Sequence, residues 1–209
     1  MSDNAQDIHW VLASGSPRRR ELLNSLGLEF EVVIPNVDEA AIEETARAEQ
    51  PNITASEIVE QLAVNKAHAV WQQLQPEAHT VSPVVIAADT LVEINGKTLS
   101  KPSSTADAFA MLNRLQGNTH QVATGVCVIH QNTVHSAVGI SAVTMVALTE
   151  REINQYIETQ EPMDKAGAYA IQGKGSLLIS GISGCYFNVV GLPLSLLNSL
   201  LAHWDLSLL

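Results

Sequence analysis

The sequence has little cysteine, few aromatic residues and no secretory signal. It contains two cysteines among 209 residues, and aromatic residues make up 4% of the chain. Cys127 and Cys185 have neither a close metal-ligand spacing nor a companion pair, which argues against a zinc site or a disulfide framework. We expect both thiols to be buried and inert, and the protein to reside in a reducing cytoplasm.

Positive charge and long apolar runs are also scarce. Eleven Lys and Arg residues face 22 Asp and Glu residues, which gives a formal net charge of -11. Such a surface repels polyphosphate backbones, so we expect no general nucleic-acid binding. No apolar run approaches the about 20 residues of a membrane helix, so we expect a soluble protein that does not bind membranes.

Apolar residues make up 46% of the chain, and segments typical of strands and helices alternate along it. Strands are predicted at residues 8–13, 29–34, 83–88, 91–94, 97–100, 121–130 and 133–148, and helices at residues 18–26, 54–74, 104–115, 149–158 and 193–204. Residues 36–52 are acidic and poorly periodic, which predicts a mobile segment. We expect a mixed, twisted α/β sheet flanked by helices, with two lobes and a central cleft. We expect one domain over residues 1–209, with residues 1–7 as a short N-terminal extension.

The stretch Ser-Gly-Ser-Pro-Arg-Arg-Arg after the first strand predicts an anion site at the start of a helix. Ser16 can occupy the N-cap position and Pro17 the first helical position, where its missing N–H costs nothing. Arg18 and Arg19 then fall in the first turn, where cations oppose the helix dipole unless an anion binds there. The alternative is a plain helix cap with solvated arginines.

Three small residues ahead of the helix suit a phosphate ligand. The hydroxyls of Ser14 and Ser16 can donate hydrogen bonds to phosphate oxygens, and Gly15 permits a close approach. Arg20 is expected to be an ordinary surface residue. The spacing matches neither a Walker loop nor a dinucleotide-binding glycine motif.

A carboxylate follows the buried strand Val-Val-Ile-Ala-Ala and is the first choice for chemistry. Asp89 at the carboxyl end of that strand can hold Mg²⁺ or Mn²⁺, or orient and deprotonate a water molecule. The alternative is an Asp-Thr turn leading into a hairpin. Glu39 is a possible second metal ligand, although it is also one more acid in an acidic segment.

Further polar residues accompany these motifs. Lys101 follows the hairpin and can neutralise phosphate charge, whereas Lys66 on the long helix can do so or be an ordinary exposed lysine. In the Gly- and Ala-rich stretch of residues 164–173, Lys165 and Gln172 are polar groups near either end. Gln172 offers a donor and an acceptor to a base edge, although tight packing alone also explains this composition.

Six motifs in this order resemble the Maf family of nucleoside triphosphate pyrophosphatases. They are Ala-Ser-Gly-Ser-Pro-Arg-Arg, Asn-Lys-Ala, Ala-Ala-Asp-Thr, Leu-Ser-Lys-Pro, Asp-Lys-Ala-Gly-Ala-Tyr-Ala-Ile-Gln-Gly and Asn-Val-Val-Gly-Leu-Pro-Leu. The resemblance implies an α/β fold like that of inosine triphosphate pyrophosphatases, a divalent metal, a homodimer, and hydrolysis of a nucleoside triphosphate to a monophosphate and pyrophosphate. It makes Asp89 the catalytic acidic residue and Glu39 a further acidic site residue. It assigns phosphate binding to Ser14, Ser16, Arg18, Arg19, Lys66 and Lys101.

The Ala-Gly-Ala-Tyr-Ala-Ile-Gln-Gly segment resembles the branch of the family that acts on dTTP and UTP. In that branch the counterparts of Arg18, Thr90 and Gln172 bear on substrate choice. Ser100 is a departure, because many relatives have an acid before Lys-Pro, which puts a possible metal contact there in doubt. The alternatives are a pyrophosphatase for non-standard purine nucleotides and a nucleotide-binding regulator of septum formation without turnover.

Overall fold

The computed structural model describes residues 8–75 and 81–209. The predicted N-terminal extension, residues 1–7, lies outside the described residues. The chain forms two compact units. In the described part of the chain, the first unit comprises residues 8–75, 81–89, 125–138 and 194–209, and the second unit comprises residues 90–124 and 139–193.

Strands and helices alternate as the sequence predicts, but the structure adds elements at residues 39–49, 179–183 and 186–190 that were not predicted. The strands are β1 (Trp10–Ala13), β2 (Glu31–Val32), β3 (Val84–Ile94), β4 (Lys97–Leu99), β5 (Thr119–His130), β6 (Thr133–Met145) and β7 (Ile179–Ser183). The helices are α1 (Pro17–Asn24), α2 (Glu39–Glu49), α3 (Ala55–Leu74), α4 (Thr105–Leu115), α5 (Glu150–Glu158), α6 (Tyr186–Val190) and α7 (Leu194–Leu201). Short 3₁₀ segments span Glu161–Asp164, Ala166–Ala168, Gly173–Leu178 and Ala202–Trp204.

The strands form a mixed sheet, which confirms the predicted fold class. Their order is β2-β1-β3-β5-β6-β7, and β4 pairs with β3. Strand β1 is parallel to both β2 and β3, whereas β4 is antiparallel to β3 and β7 is antiparallel to β6. The register of β1 and β3 runs from Trp10 opposite Val84 to Ala13 opposite Ala87. Parallel pairing places the carboxyl ends of these two strands at the same edge.

The core of the first unit lies where α3 packs on the sheet. Val11 and Val85 from the strands and Ala63, Ala67 and Val70 from the helix are fully buried in one apolar cluster. Because these side chains are small, the helix and the sheet approach each other closely. The apolar surface buried between them makes the main favourable contribution to folding.

Glycine marks the closest approach between α3 and the sheet. A Cβ added at Gly125 in β5 would lie 2.3 Å from the carbonyl oxygen of Val59 in α3. No larger residue fits at this position without moving the backbone, because real Cβ atoms do not approach a carbonyl oxygen so closely. Gly125 therefore fixes the spacing between the helix and the strand within the first unit.

Helices α3 and α5 begin where local sequence signals place them. Each has a complete capping box, formed by Thr54 with Glu57 and by Thr149 with Glu152. In both boxes the threonine hydroxyl accepts the N–H of the glutamate, and the glutamate carboxylate accepts the N–H of the threonine. The hydrogen bonds lower the pKa of both glutamates. The start of each helix is therefore set by residues within one turn.

The prediction of a mobile segment at residues 36–52 is wrong, because most of it forms α2. The Asp38 carboxylate caps this helix by accepting the N–H of Ala41 at 3.0 Å. One turn apart within the helix, Arg47 donates to Glu43 at 2.8 Å. These polar side-chain interactions stabilise a helix that has little apolar periodicity and buries only Ala46.

The two thiols differ in their surroundings. Cys127 is fully buried in β5, and burial, with a smaller effect of Glu60, raises the pKa of its thiol to about 12. The expectation of a buried residue is wrong for Cys185, which is half-buried because it lies at the N-cap of α6 between the exposed residues Gly184 and Tyr186. Both are free thiols. None of the helices described combines the length and apolar character needed to span a bilayer.

Candidate functional site

The loop that leaves β1 is organised around the hydroxyl of Ser14. Ser14 is buried directly after the strand, and its Oγ accepts the N–H of Ser16 at 3.2 Å and Nη1 of Arg19 at 3.3 Å. These two bonds fold the loop back on the start of α1. Gly15, between the two serines, is exposed. Residues 14 and 16 therefore share one short turn at the carboxyl end of β1.

Helix α1 begins as predicted, but its cap differs in one respect. Ser16 occupies the N-cap position and Pro17 is the first helical residue, yet the Ser16 side chain makes no capping hydrogen bond. Its hydroxyl is not used to satisfy the helix, whose first N–H groups carry the positive end of the dipole. Arg18 and Arg19 are half-buried in the first turn, whereas Arg20 is exposed, as predicted.

Asp89 lies within β3 and not in a turn. The strand continues to Ile94, so the expectation that it ends before Asp89 is wrong, and so is the alternative of an Asp-Thr turn. Parallel pairing with β1 ends at Ala87, two residues earlier, where β1 gives way to the Ser14 loop. Asp89 is therefore at the carboxyl end of the parallel pairing, and it is buried with 7% exposure.

Lys66 joins two carboxylates from different elements. Its Nζ lies 2.8 Å from Oε1 of Glu39, the first residue of α2, and also contacts Oδ1 of Asp89. The exposed fraction of the side chain is 7% for Lys66, 10% for Asp89 and 48% for Glu39. The alternative of an ordinary exposed lysine is therefore wrong, since α3 directs this side chain into the interior. The charge of Lys66 is balanced by acids that the sequence places far apart.

Arg19 experiences the same two carboxylates. Burial lowers the pKa of its guanidinium from the ordinary value, Asp89 opposes this shift, Arg18 adds to it, and Glu39 opposes it. An arginine keeps its charge in such surroundings, so Arg19 places a full positive charge near Asp89 and Glu39. The alternative that Arg19 is a solvated surface residue is wrong, because its side chain is half-buried and donates a hydrogen bond to Ser14.

The geometry suits a hard divalent cation to a limited extent. Glu39 and Asp89 contact the same nitrogen, Nζ of Lys66. Their carboxylate oxygens therefore converge on one point, which the Lys66 ammonium occupies. Two carboxylates are the usual protein share of a Mg²⁺ site whose other ligands are water and phosphate oxygens. Among the described residues no group of three His, Cys, Asp or Glu side chains is arranged to hold a metal. The protein can therefore supply two oxygen ligands, and a substrate would have to supply others.

The remaining predicted site residues belong to the second unit. Lys101 is exposed after β4, and Gln172 is half-buried immediately before a 3₁₀ segment. Lys165 contacts the Asp164 carboxylate and donates to the carbonyl of Glu161 at 3.1 Å. The predicted roles of Lys101, Gln172 and Lys165 stay predictions.

Thr90, the residue after Asp89, has a hydroxyl of defined direction. Its Oγ1 lies 2.9 Å from Oγ1 of Thr124, which donates its own proton to the carbonyl of Asn188 at 2.9 Å. Because Thr124 has one hydroxyl proton, Thr90 must be the donor in the bond between the two threonines. This orientation depends on residues distant in sequence and has no local signal.

Sequence reasoning missed Tyr156 and Glu161, which hold the backbone on both sides of Gln172. The Glu161 carboxylate accepts the N–H groups of Lys174 and Gly175, and Tyr156 accepts the N–H of Ala170. The nearest sequence signal is the pair of glycines after Gln172, which indicates a tightly folded backbone but does not identify its partners.

Comparison with known proteins decides the family. The model of the family described as "Maf-like protein" matches residues 9–204. The chain belongs to the Maf family. This confirms the resemblance that the six motifs predict, and it covers every predicted site residue.

Close relatives of this Maf protein carry a common name. A protein of Acetivibrio thermocellus named "dTTP/UTP pyrophosphatase" is 44% identical over 202 residues, covering 95% of this chain and 96% of its own. A protein of Desulforamulus reducens with the same name is 46% identical over 187 residues, covering 88% and 91%. The solved Ham1 protein of Staphylococcus aureus is similar at 18% identity and a TM-score of 0.41, covering 66% and 72%. That last likeness is too weak to bear on fold or activity.

Proposed function

We propose that this Maf protein is a pyrophosphatase that hydrolyses dTTP and UTP to the monophosphate and pyrophosphate. The observation that carries the proposal is the cluster of Arg19, Lys66 and Asp89, in which a buried carboxylate is bound by one cation and coupled to another. The names of relatives at 44% and 46% identity support this substrate class. The fold places the cluster at the carboxyl ends of two parallel strands, where α/β sheets bind ligands.

Asp89 acts as the general base in this proposal. It accepts a proton from a water molecule whose oxygen attacks the α-phosphorus. The new bond joins that oxygen to the α-phosphorus, and the bond from the α-phosphorus to the bridging oxygen breaks. Pyrophosphate leaves with the electron pair, so the step needs no oxidant or second substrate. Such a reaction depends mainly on positioning and on electrostatic stabilisation of the phosphate oxygens.

The cations neutralise the charge that develops on the triphosphate. Arg18 and Arg19 at the start of α1 and Lys66 on α3 provide positive charge, and Lys101 is assigned the same role. The hydroxyls of Ser14 and Ser16 and the first N–H groups of α1 are donors to phosphate oxygens. Arg18 also bears on substrate choice together with Thr90 and Gln172, whose amide can donate and accept at a base edge.

Glu39 and Asp89 would hold the divalent cation, Mg²⁺ or Mn²⁺. When bound, the cation would neutralise phosphate charge and polarise the phosphoryl group. Lys66 would then change its contacts, because its ammonium and the cation would compete for the same two carboxylates. We expect chelation by EDTA to abolish activity, and Glu39→Gln to raise the Mn²⁺ concentration for half-maximal activity at least tenfold. Activity that is insensitive to EDTA would contradict the metal requirement.

A panel of triphosphates with product identification tests the function. The wild-type protein with Mg²⁺ or Mn²⁺ is expected to release pyrophosphate from dTTP and UTP faster than from purine triphosphates. The Asp89→Asn variant is expected to lose about 100-fold or more in turnover. Saturable binding of dTTP without product would indicate the regulatory alternative, and preference for inosine or xanthosine triphosphate would indicate the purine alternative. The homodimer and the cytoplasmic location remain separate proposals.

A further inference from the structure

We infer that Tyr156 and Glu161 are positioning residues that hold the loop of residues 170–175 and, through Gln172 at its tip, govern the choice of base. The inference rests on the proposed function, because that function gives Gln172 its contact with the base. Neither residue carries a role in the predicted site. Both lie with the loop in the second unit.

Glu161 binds the part of the loop that follows Gln172. Its Oε1 accepts the N–H of Gly175 at 2.9 Å, and its Oε2 accepts the N–H of Lys174 at 3.1 Å. These are two of the first N–H groups of the 3₁₀ segment Gly173–Leu178, which has no side-chain cap at Gln172 itself. A carboxylate that accepts backbone N–H groups makes charge-assisted bonds, about twice as strong as neutral ones. Glu161 therefore fixes the backbone on the carboxyl side of Gln172.

Tyr156 connects Glu161 to the part of the loop that precedes Gln172. Its hydroxyl donates to Oε1 of Glu161 at 2.9 Å and accepts the N–H of Ala170 at 3.1 Å. Tyr156 is buried on α5 with 5% exposure, so its hydroxyl is held by a packed ring. One carboxylate and one phenol thus bind the backbone on both sides of Gln172.

The loop of residues 170–175 is so tightly packed that it leaves no space for a Cβ atom at either of its glycines. A Cβ at Gly175 would lie 2.1 Å from the carbonyl oxygen of Ala170 and 2.5 Å from Oη of Tyr156. At Gly173, where φ is +66°, a Cβ would lie 2.7 Å from Oε2 of Glu161. The backbone at Gly175 therefore lies directly against Ala170 and Tyr156, and the backbone at Gly173 lies directly against Glu161.

The charge of Glu161 is maintained in this position. Burial raises the pKa of its carboxyl, but the hydrogen bonds from Gly175, Tyr156 and Lys174 and the charge of Lys165 together outweigh burial and lower it. This accounts for Lys165 as well, whose Nζ donates to the Glu161 carbonyl at 3.1 Å. We assign Lys165 a supporting contact to Glu161 in addition to its pair with Asp164.

The test is Glu161→Gln, compared with Glu158→Gln as the matched control. The glutamine amide cannot accept all three hydrogen bonds in the observed arrangement, because an NH₂ group, which is a donor, replaces one of the two carboxylate oxygens. Glu158 is exposed at the end of α5, so its substitution leaves the loop intact. We expect Glu161→Gln to raise KM for dTTP about tenfold with less than a threefold change in kcat, and to reduce the preference for dTTP over dCTP about tenfold.

A double-mutant cycle with Gln172→Ala separates positioning from a general loss of packing. If Glu161 acts through Gln172, the double variant has the same KM and the same dTTP preference as Gln172→Ala alone. Tyr156→Phe is a second variant that keeps the ring and removes both hydroxyl bonds, and it should move KM in the same direction. Equal losses of kcat on all triphosphates, or an unchanged dTTP preference, would overturn the inference.

Amide hydrogen exchange gives a readout that does not depend on catalysis. We expect the amides of Lys174 and Gly175 to exchange at least tenfold faster in Glu161→Gln than in the wild type and in Glu158→Gln. Unchanged exchange would overturn the positioning role. If the wild type releases no pyrophosphate from any triphosphate, the proposed function fails and the substrate-choice part of this inference fails with it. The exchange measurement still decides whether Glu161 holds the loop.

Discussion

The ammonium of Lys66 lies 2.8 Å from the Glu39 carboxylate and also contacts Asp89, so a single side chain balances two acids. Lys66 and Asp89 are both buried. An isolated buried charge is costly, and each of these two residues is tolerated in the interior because the other is present. The pair therefore contributes to stability as well as to the proposed chemistry, and the two contributions can be measured separately.

Lys66→Met should destabilise the protein because it leaves the Asp89 carboxylate buried beside Glu39 without the ammonium. We expect the free energy of unfolding at pH 7 in EDTA to fall by about 3 kcal/mol. Added Mn²⁺ should recover part of the loss, since it supplies positive charge to the same two acids. Denaturation in urea with and without Mn²⁺ measures both effects. Lys97→Met, at an exposed position in β4, is the control, and an equal loss in the two variants would refute the expectation.

Arg19→Ala should impair turnover, whereas Arg20→Ala should not. Arg19 is half-buried, donates to Ser14 and is coupled to Asp89, but the neighbouring Arg20 is exposed. Loss of one preorganised donor to a developing negative charge typically raises a barrier by about 3 kcal/mol, so we expect kcat on dTTP to fall about 100-fold. Steady-state pyrophosphate release measures the change. Equal activity of the two variants would remove Arg19 from the phosphate site.

The parts of the fold that sequence predicts are those fixed by neighbours in the chain. The starts of α1, α3 and α5 depend on a proline or on capping boxes within one turn, and all three lie where the motifs place them. Helix α2 was missed because apolar periodicity is weak there. Its stability depends on the Asp38 cap and on the pair of Glu43 and Arg47, which a search for apolar spacing does not detect.

The site divides in the same way. Ser16 and Arg19 lie within a few residues of the loop that joins β1 to α1, and the geometry of a helix start predicts their position. The burial of Lys66 depends on how α3 packs on the sheet, so the side chain could not be told from an exposed lysine beforehand. The glycines after Gln172 indicate a tight backbone but do not identify Glu161, because its partners there are backbone N–H groups at residues 174 and 175.

Gly15→Ala distinguishes two reasons for a glycine at this position: that a ligand must approach the backbone closely, or that the fold itself requires glycine. The φ of Gly15 is outside the left-handed region, and the nearest atoms to an added Cβ belong to Ile34 at 3.9 Å. The fold therefore accommodates the methyl group, and stability should be unchanged or slightly higher. We expect kcat/KM for dTTP to fall at least tenfold because the methyl group blocks the approach of phosphate. Gly181→Ala, where an added Cβ meets no atom within 4 Å, is the control, and matching kinetics in the two variants would contradict the role of Gly15.

A buried histidine in the second unit should make the protein sensitive to mild acid. Nε2 of His120 lies 2.6 Å from Oη of Tyr169, and within the described residues Nδ1 has no hydrogen-bond partner. Burial lowers the pKa of His120 from 6.5 to about 4. Between about pH 4 and pH 6.5 the imidazole of His120 is therefore neutral in the folded protein but protonated in the unfolded chain. Its contribution to stability is complete above pH 6.5 and is lost as the pH falls towards 4.

From this shift we expect His120 to account for about 2 kcal/mol of the stability lost between pH 7 and pH 5. His120→Gln removes the titrating group and keeps a polar side chain near Tyr169, so its stability should fall less steeply over that interval. Urea denaturation at several pH values measures the slope. His68→Gln, at an exposed position on α3, should keep the wild-type slope. If His120→Gln keeps it too, the acid sensitivity belongs to carboxylates that are paired in the folded state, because these also bind protons on unfolding.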